Sequence, residues 1–260
     1  MERLLFSISL FVIVFFNSTA EAQTRRIPPP KPFKKPIAAP VVITRENANT
    51  AVVVDERLAV LRAQPSLFSE AIQRMRTGRL VSISGSKVSD GVTFYRVSVP
   101  PDNFGWVQSE AVFGKYRRGD DERLARLVQA SEGFEQIERA AIFLEIYKNS
   151  LLRPAILLLF GDLSEDAALK MSGDATRKLD RREMAASGAP LHSFYLNYVS
   201  LDRYRKLGIN FVFNPSAKLL HYDGASWREI TGKFPKSSEA AEAQKRLDSL
   251  REKMAVVQNK

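Results

Sequence analysis

Short runs of alternating apolar and polar residues fill the stretch from residue 57 to 112. A period of two is typical of β-strands, and residues 80–84 and 94–99 show it most clearly. Short connections join antiparallel strands, and about five strands in so short a stretch predict a compact antiparallel β-barrel. Turn-forming sequences separate the runs: Gln64-Pro65-Ser66, Arg76-Thr77-Gly78, Ser89-Asp90-Gly91 and Pro100-Pro101-Asp102-Asn103.

The apolar period changes to that of an α-helix after residue 120. The clearest helical stripes cover residues 124–128, 134–144, 154–179 and 240–254, and the third helix should be central because its start is apolar all round. A shorter helix is predicted at 196–207, and Asn214-Pro215 is predicted to begin another. The predicted fold class is α+β and multidomain: a small antiparallel β-barrel at 51–116, a basic hinge at 114–120, and an α-helical, repeat-like domain at 119–260.

The start of the chain has the features of an export signal. Residues 4–16 form an apolar run behind Arg3, and Ala20 and Ala22 supply the small residues that a signal peptidase requires. As a helix this run spans about 20 Å, which is short of the roughly 30 Å hydrocarbon core of a membrane. Residues 1–22 are therefore predicted to be a signal peptide cleaved after Ala22, with an uncleaved membrane anchor as the alternative.

A proline-rich basic segment follows at residues 23–50. Proline favours the extended polyproline II conformation, so this segment is predicted to be a stiff, disordered linker without a core. Extended cations suit an anionic envelope polymer or phospholipid headgroups, and the alternative is a tether that binds nothing specific. The cationic side chains of this arm are Arg25, Arg26, Lys31, Lys34 and Lys35.

The formal net charge is +10 and the isoelectric point is near 9.8, which favours anionic partners. The predicted export argues against nucleic acid as that partner. The chain has no cysteine, which excludes disulfides, thiolate metal sites and cysteine nucleophiles. An exported protein without disulfides is typical of bacteria, so the predicted location is the periplasm, the cell surface or the extracellular space. Membrane contact is predicted only transiently, through the signal peptide.

Several motifs in the strand-rich stretch carry a family resemblance: Leu61-Arg62, Pro65-Ser66, Val81-Ser82-Ile83, Phe94-Tyr95-Arg96-Val97 and Gly105-Trp106-Val107-Gln108-Ser109. In this order they resemble the bacterial Src homology 3 domain over about 60 residues. The chain departs from the family pattern at Ala63-Gln64, where the family usually carries Ser-Gly. The resemblance implies a barrel that binds peptidoglycan or another envelope ligand.

The predicted ligand-binding residues of this stretch are Arg62, Tyr95, Arg96 and Trp106. Gly105 allows a close approach of the backbone or a positive φ, and Trp106 then packs across the mouth of the barrel as core or as a ligand contact. Phe94 and Tyr95 are neighbours on one strand, so one should be core and the other exposed. An exposed Tyr95 would form a surface patch with Arg62 and Arg96.

Two junctions between predicted helices look alike: Tyr147-Lys148-Asn149-Ser150 and Phe234-Pro235-Lys236-Ser237. They resemble the helix-turn-helix junctions of tetratricopeptide repeats, although their separation of 87 residues is not a multiple of 34. The resemblance implies degenerate helical hairpins that stack on one another and bind a protein partner.

The sequence contains no recognisable catalytic constellation, so no catalytic residue, metal ligand or cofactor is predicted. The two histidines, His192 and His221, lie outside any metal-binding motif and are predicted to make ordinary hydrogen bonds. Carboxylate pairs such as Asp120-Asp121 are predicted to be solvated on polar helix faces.

These features together predict an exported, non-enzymatic binding or scaffold protein. Its barrel would bind peptidoglycan or another anionic envelope polymer, and its helical region would bind a protein. One alternative is a purely structural protein–protein interaction module without glycan affinity. Another is a weak cell-wall hydrolase whose carboxylate site the sequence does not reveal.

Overall fold

The structure, a computed structural model, describes residues 47–178 and 201–255. The predicted signal peptide and nearly all of the predicted linker lie outside these residues. The described residues belong to one compact unit. Among them, no helix combines the length and the apolar character that crossing a membrane requires.

Seven short strands form the main sheet, and every pairing between them is antiparallel, as the turns predict. In chain order they are β1 (Thr50–Val53), β2 (Val60–Arg62), β3 (Ala71–Arg74), β4 (Leu80–Ser89), β5 (Val92–Val99), β6 (Asn103–Gln108) and β7 (Val112–Gly114). Asp90 and Gly91 have φ of 53° and 72° and make the tight hairpin between β4 and β5. The predicted hairpin is confirmed.

The predicted closed barrel is wrong, because the sheet order is β3-β2-β6-β5-β4-β1-β7 with β3 and β7 as unpaired edges. Strand β7 leads into helix α1 (Asp120–Gln129) and packs against it. Val52 of β1 and Phe113 of β7 share a core with Leu124 of α1. The helices cover this end of the sheet, so β7 does not need to pair with β3 to bury its apolar side chains.

Five more α-helices lie in the described residues: α2 (Gly133–Ile146), α3 (Arg153–Lys178), α4 (Leu201–Arg205), α5 (Ala225–Lys233) and α6 (Ala240–Ala255). The helices predicted at 124–128, 134–144 and 240–254 are confirmed. Helix α3 packs against both α2 and α5, which confirms its predicted central position.

The carboxylate of Asp120 departs from the predicted solvated position. It is buried at the start of α1 and accepts hydrogen bonds from Arg117 Nε at 2.6 Å and Arg123 Nη1 at 3.0 Å. Burial raises the pKa of Asp120, and the hydrogen bond from Arg117 opposes that shift. This carboxylate fastens the start of α1 to the hinge before it.

A two-stranded hairpin interrupts the helical region, formed by β8 (Phe211–Asn214) and β9 (Leu219–Tyr222). The helix predicted to begin at Asn214-Pro215 is therefore wrong. Asn214 Oδ1 accepts hydrogen bonds from the backbone N–H groups of Ser216 at 3.0 Å and Ala217 at 3.1 Å. This side-chain turn reverses the chain and lets β9 pack against α3.

One hydrophobic core joins the sheet to the helices. Val52, Val54 and Phe113 of the sheet are buried in the same cluster as the helical residues Leu124 and Phe143. The Tyr147 hydroxyl, at the end of α2, donates a hydrogen bond to the Gly114 carbonyl of β7 at 2.9 Å. A second, smaller cluster lies within the sheet itself. The sheet and the helices are therefore bound by apolar packing and by a buried hydrogen bond.

Candidate functional site

Three of the four predicted ligand-binding residues form one row across the sheet. Trp106 on β6 is paired in register with Arg62 on β2 and with Arg96 on β5. Directly opposite residues of antiparallel strands project from the same face, so Trp106 has an arginine on either side. Arg96 is exposed, whereas Arg62 and Trp106 are half-buried. We call these three residues the arginine–tryptophan row.

Gly105 allows β6 to reach the position that the row requires. A Cβ atom at this residue would lie 2.6 Å from the Arg62 carbonyl oxygen and 2.9 Å from Leu61 Cγ. Any larger residue would push β6 away from β2. Of the two predicted roles of Gly105, the close backbone approach is confirmed, and a positive φ is not observed.

Arg62 links the row to the β2–β3 loop. Its Nη1 donates a hydrogen bond to the Ser69 carbonyl at 2.7 Å. Its Nε is buried and has no hydrogen-bond partner among the residues that the structure describes. A buried donor without a partner is costly in a native protein, and Arg62 Nε is closed to solvent in the described structure.

The β2–β3 loop is fixed by a carboxylate from the β4–β5 turn. Asp90 Oδ2 accepts hydrogen bonds from Ser66 Oγ at 2.7 Å and from Leu67 N at 2.9 Å. These bonds, the Ser66 hydroxyl first, hold the pKa of Asp90 below its usual range. The next residue, Phe68, is 90% exposed, so an anchored loop presents a bare aromatic ring.

Acid should release this loop. The pKa of Asp90 is lowered in the folded protein, so its bonds are complete above the usual aspartate range near 3.9 and are lost as the pH falls through the lower folded value. We expect the backbone amide shift of Leu67 to titrate in this acidic window in two-dimensional NMR spectra. Asp90→Asn tolerates the positive φ of the turn but cannot ionise, so a Leu67 titration that persists in this variant would contradict the assignment.

The aromatic surface of this face continues beyond the row. Phe104 lies two residues before Trp106 on β6, on the same side of the strand, and is 66% exposed. The face therefore offers two aromatic rings beside two guanidinium groups. Aromatic faces pack well against flat apolar groups, and guanidinium groups bind carboxylates with paired hydrogen bonds. Such a surface suits an anionic ligand that carries ring-shaped units.

The predicted exposure of Tyr95 is wrong. Its side chain is 4% exposed in the core of the sheet, where its ring packs edge-on against Tyr116 at 5.3 Å. Burial raises the pKa of the Tyr95 hydroxyl. Phe94 projects from the opposite side of the strand and is also fully buried, between its register partners Lys87 and Gln108. Alternation predicts the direction of a side chain but not what covers it.

His221 makes the ordinary hydrogen bond that was predicted for it. Its Nδ1 lies 2.8 Å from Glu165 Oε1, and the same carboxylate accepts bonds from Tyr222 N at 2.8 Å and Lys253 Nζ at 3.0 Å. Burial would raise the pKa of Glu165, but these three bonds outweigh it and the pKa is lowered. The group fastens β9 and α6 to α3. Over residues 47–178 and 201–255, no three His, Asp or Glu side chains converge as metal ligands would.

The remaining predicted site residues lie outside the described residues. They are Ala20, Ala22, Arg25, Arg26, Lys31, Lys34, Lys35 and His192.

Comparisons with known proteins found no match to this chain among protein-family models, curated proteins or solved structures. The resemblances to the Src homology 3 domain and to tetratricopeptide repeats therefore stay predictions.

Proposed function

We propose that the chain is an exported, non-enzymatic binding protein whose sheet binds peptidoglycan or another anionic envelope polymer. In this proposal the strand-rich segment is a variant of the bacterial Src homology 3 domain, and the helices are a degenerate tetratricopeptide-like region that contacts a protein. The observation that carries the proposal is the arginine–tryptophan row, in which half-buried Trp106 is paired in register with an arginine on either neighbouring strand.

The chemistry of the row fits a glycan that carries carboxylates. The C–H groups of a sugar ring are apolar and pack against the face of an indole, and Phe104 extends that surface. Carboxylates along the polymer would then meet Arg62 and Arg96, whose planar guanidinium groups match the geometry of a carboxylate. The predicted export and the net charge of +10 support an anionic ligand of the envelope.

Reversing the charge of Arg96 should weaken retention on purified cell-wall sacculi. We expect Arg96→Glu to reduce the apparent affinity by about five- to tenfold, or roughly 1–1.4 kcal/mol. Arg96 is exposed, so the substitution should not disturb the core. Co-sedimentation of the protein with sacculi at several salt concentrations measures the loss, which should shrink as salt screens the charges.

Arg76→Glu is the matched control for this experiment. Arg76 is also exposed, and its substitution changes the net charge by the same amount as Arg96→Glu. It lies in the β3–β4 turn, outside the row. We expect this variant to bind sacculi like the unaltered protein. Equal losses in the two variants would show a general charge effect and would contradict a role for the row.

A purely structural module without glycan affinity is the second candidate. The core that the sheet shares with the helices favours it, because a scaffold needs its parts to act as one body. No retention of the unaltered protein on sacculi, together with resistance of residues 114–119 to limited proteolysis, would support the scaffold instead.

A further inference from the structure

The two junctions that look alike in the sequence meet in space. A cleft of about 910 Å³ lies between them, a volume within the range of ligand-binding pockets. The α2–α3 junction supplies one wall and the α5–α6 junction the other. The residues that these junctions contribute are Lys148, Asn149, Ser150, Leu151, Phe234 and Ser237. We call this the junction cleft.

The charged residues of the junction cleft are mostly cationic. Lys148, Arg153 and Lys233 line it together with one carboxylate, Glu229. Glu229 Oε1 already accepts hydrogen bonds from Arg153 Nε at 3.0 Å and Nη2 at 2.8 Å. It also lies 3.4 Å from Lys233 Nζ, whose side chain is 71% exposed. Three cationic side chains and one carboxylate line the described walls, and this balance of charge favours an anionic occupant.

The same cleft exposes apolar surface on both of its walls. Leu151, directly after the polar turn of the α2–α3 junction, is 97% exposed. Phe234 lies half-buried in the opposite wall. Ser237 Oγ is buried without a hydrogen-bond partner among the described residues. An exposed leucine and an aromatic ring on opposite walls of one concave space can hold a large apolar side chain between them.

We propose that the junction cleft binds an acidic segment of a partner protein that carries a large apolar side chain. The apolar side chain would pack between Leu151 and Phe234, and acidic neighbours would lie near Lys233 and Lys148. The inference rests on the proposed binding function of the helical region and names the chemistry of its partner. It uses no residue of the arginine–tryptophan row, so the two proposals can fail separately.

Labelled peptides of alternating Glu and Leu are the probe for this proposal, with Glu–Ser and Lys–Leu peptides of the same length for comparison. Protein purified from cells that express the full chain is titrated against each peptide, and binding is followed by fluorescence anisotropy. We expect the Glu–Leu peptide to bind about tenfold more tightly than either comparison peptide, and its affinity should fall with added salt. Equal binding of the Lys–Leu peptide would overturn the proposal.

Lys233→Glu and Lys245→Glu form a matched pair. Their side chains are 71% and 74% exposed, and each lies 3.4 Å from a glutamate on its own helix. Only Lys233 lines the junction cleft. We expect Lys233→Glu to weaken the Glu–Leu peptide at least fivefold and Lys245→Glu to leave it unchanged. Leu151→Ser should also weaken it, while retention on sacculi stays unaltered in all three variants.

Other occupants would be recognised in the same assay and would overturn the assignment. Equal weakening by the two lysine variants would exclude specific binding in the cleft. Displacement of the peptide by vesicles of anionic phospholipid, but not by neutral vesicles, would indicate a lipid surface. Concentration-dependent dimerisation that Lys233→Glu abolishes would indicate a second copy of the chain.

Discussion

Replacing Gly161 with alanine should lower the free energy of unfolding by about 1–3 kcal/mol, the usual cost of overpacking a core. Gly161 lies in α3 where α5 crosses it, and an added Cβ would lie 2.6 Å from Ser226 Oγ and 2.7 Å from Trp227 Cε2. Trp227 is 2% exposed and packs edge-on against Tyr222, so it has little room to move. The two helices would have to separate. Urea denaturation followed by circular dichroism measures the loss.

Gly173→Ala is the control on the same helix. Among the described residues, no atom outside the backbone of α3 and the two adjacent residues lies within 4 Å of the Cβ that this substitution would add. Alanine is favoured over glycine in a helix, so we expect this variant to gain about 0.5–1 kcal/mol. Opposite signs of the change in the free energy of unfolding for the two variants would distinguish the effect of close packing from that of helix propensity. A stabilised Gly161→Ala variant would show that α3 and α5 do not pack as closely as described.

The local structure of the sheet follows closely from its turn residues. Asp90-Gly91 is predicted as a tight hairpin because both positions tolerate positive φ, and both adopt it. The failure at Asn214-Pro215 has the same local origin. An asparagine oxygen can accept bonds from the next N–H groups at a helix start or in a side-chain turn, and the sequence looks alike in both. The short apolar runs on either side, Phe211-Val212-Phe213 and Leu219-Leu220, were the signal that favours a hairpin.

Closure of the sheet and exposure of its side chains depend on distant parts of the chain. Strand β7 packs on α1, so the barrel that the spacing of strands predicts does not close. Tyr95 is buried against Tyr116, which comes from the hinge after the sheet. The sequence predicted Arg62, Arg96 and Trp106 as members of one surface. It did not predict that they are directly opposite one another on neighbouring strands. The weak likeness of the two helix junctions gave no sign that they meet in one cleft.

Truncating Ile230 in α5 should destabilise the sheet as well as the helices. Ile230 is fully buried in the core that also contains Val52 and Phe113 of the sheet, and Ile→Ala at such a site costs about 2–5 kcal/mol. The chain has two tryptophans, one in the sheet and one in α5. In a Trp227→Phe background, Trp106 alone reports on the sheet. We expect Ile230→Ala to lower the urea midpoint of Trp106 fluorescence as much as that of the helical circular dichroism signal.

The reciprocal experiment tests the same coupling from the other side. Val97 is buried within the sheet cluster, and in a Trp106→Phe background Trp227 reports on the helices. Val97→Ala should lower the Trp227 midpoint together with the overall transition. If the urea midpoint changed only for the probe in the part that carries the substitution, and two separate transitions appeared, the sheet and the helices would be independent domains. Coincident shifts in both directions would mean that the shared core makes the row and the junction cleft two surfaces of one cooperative body.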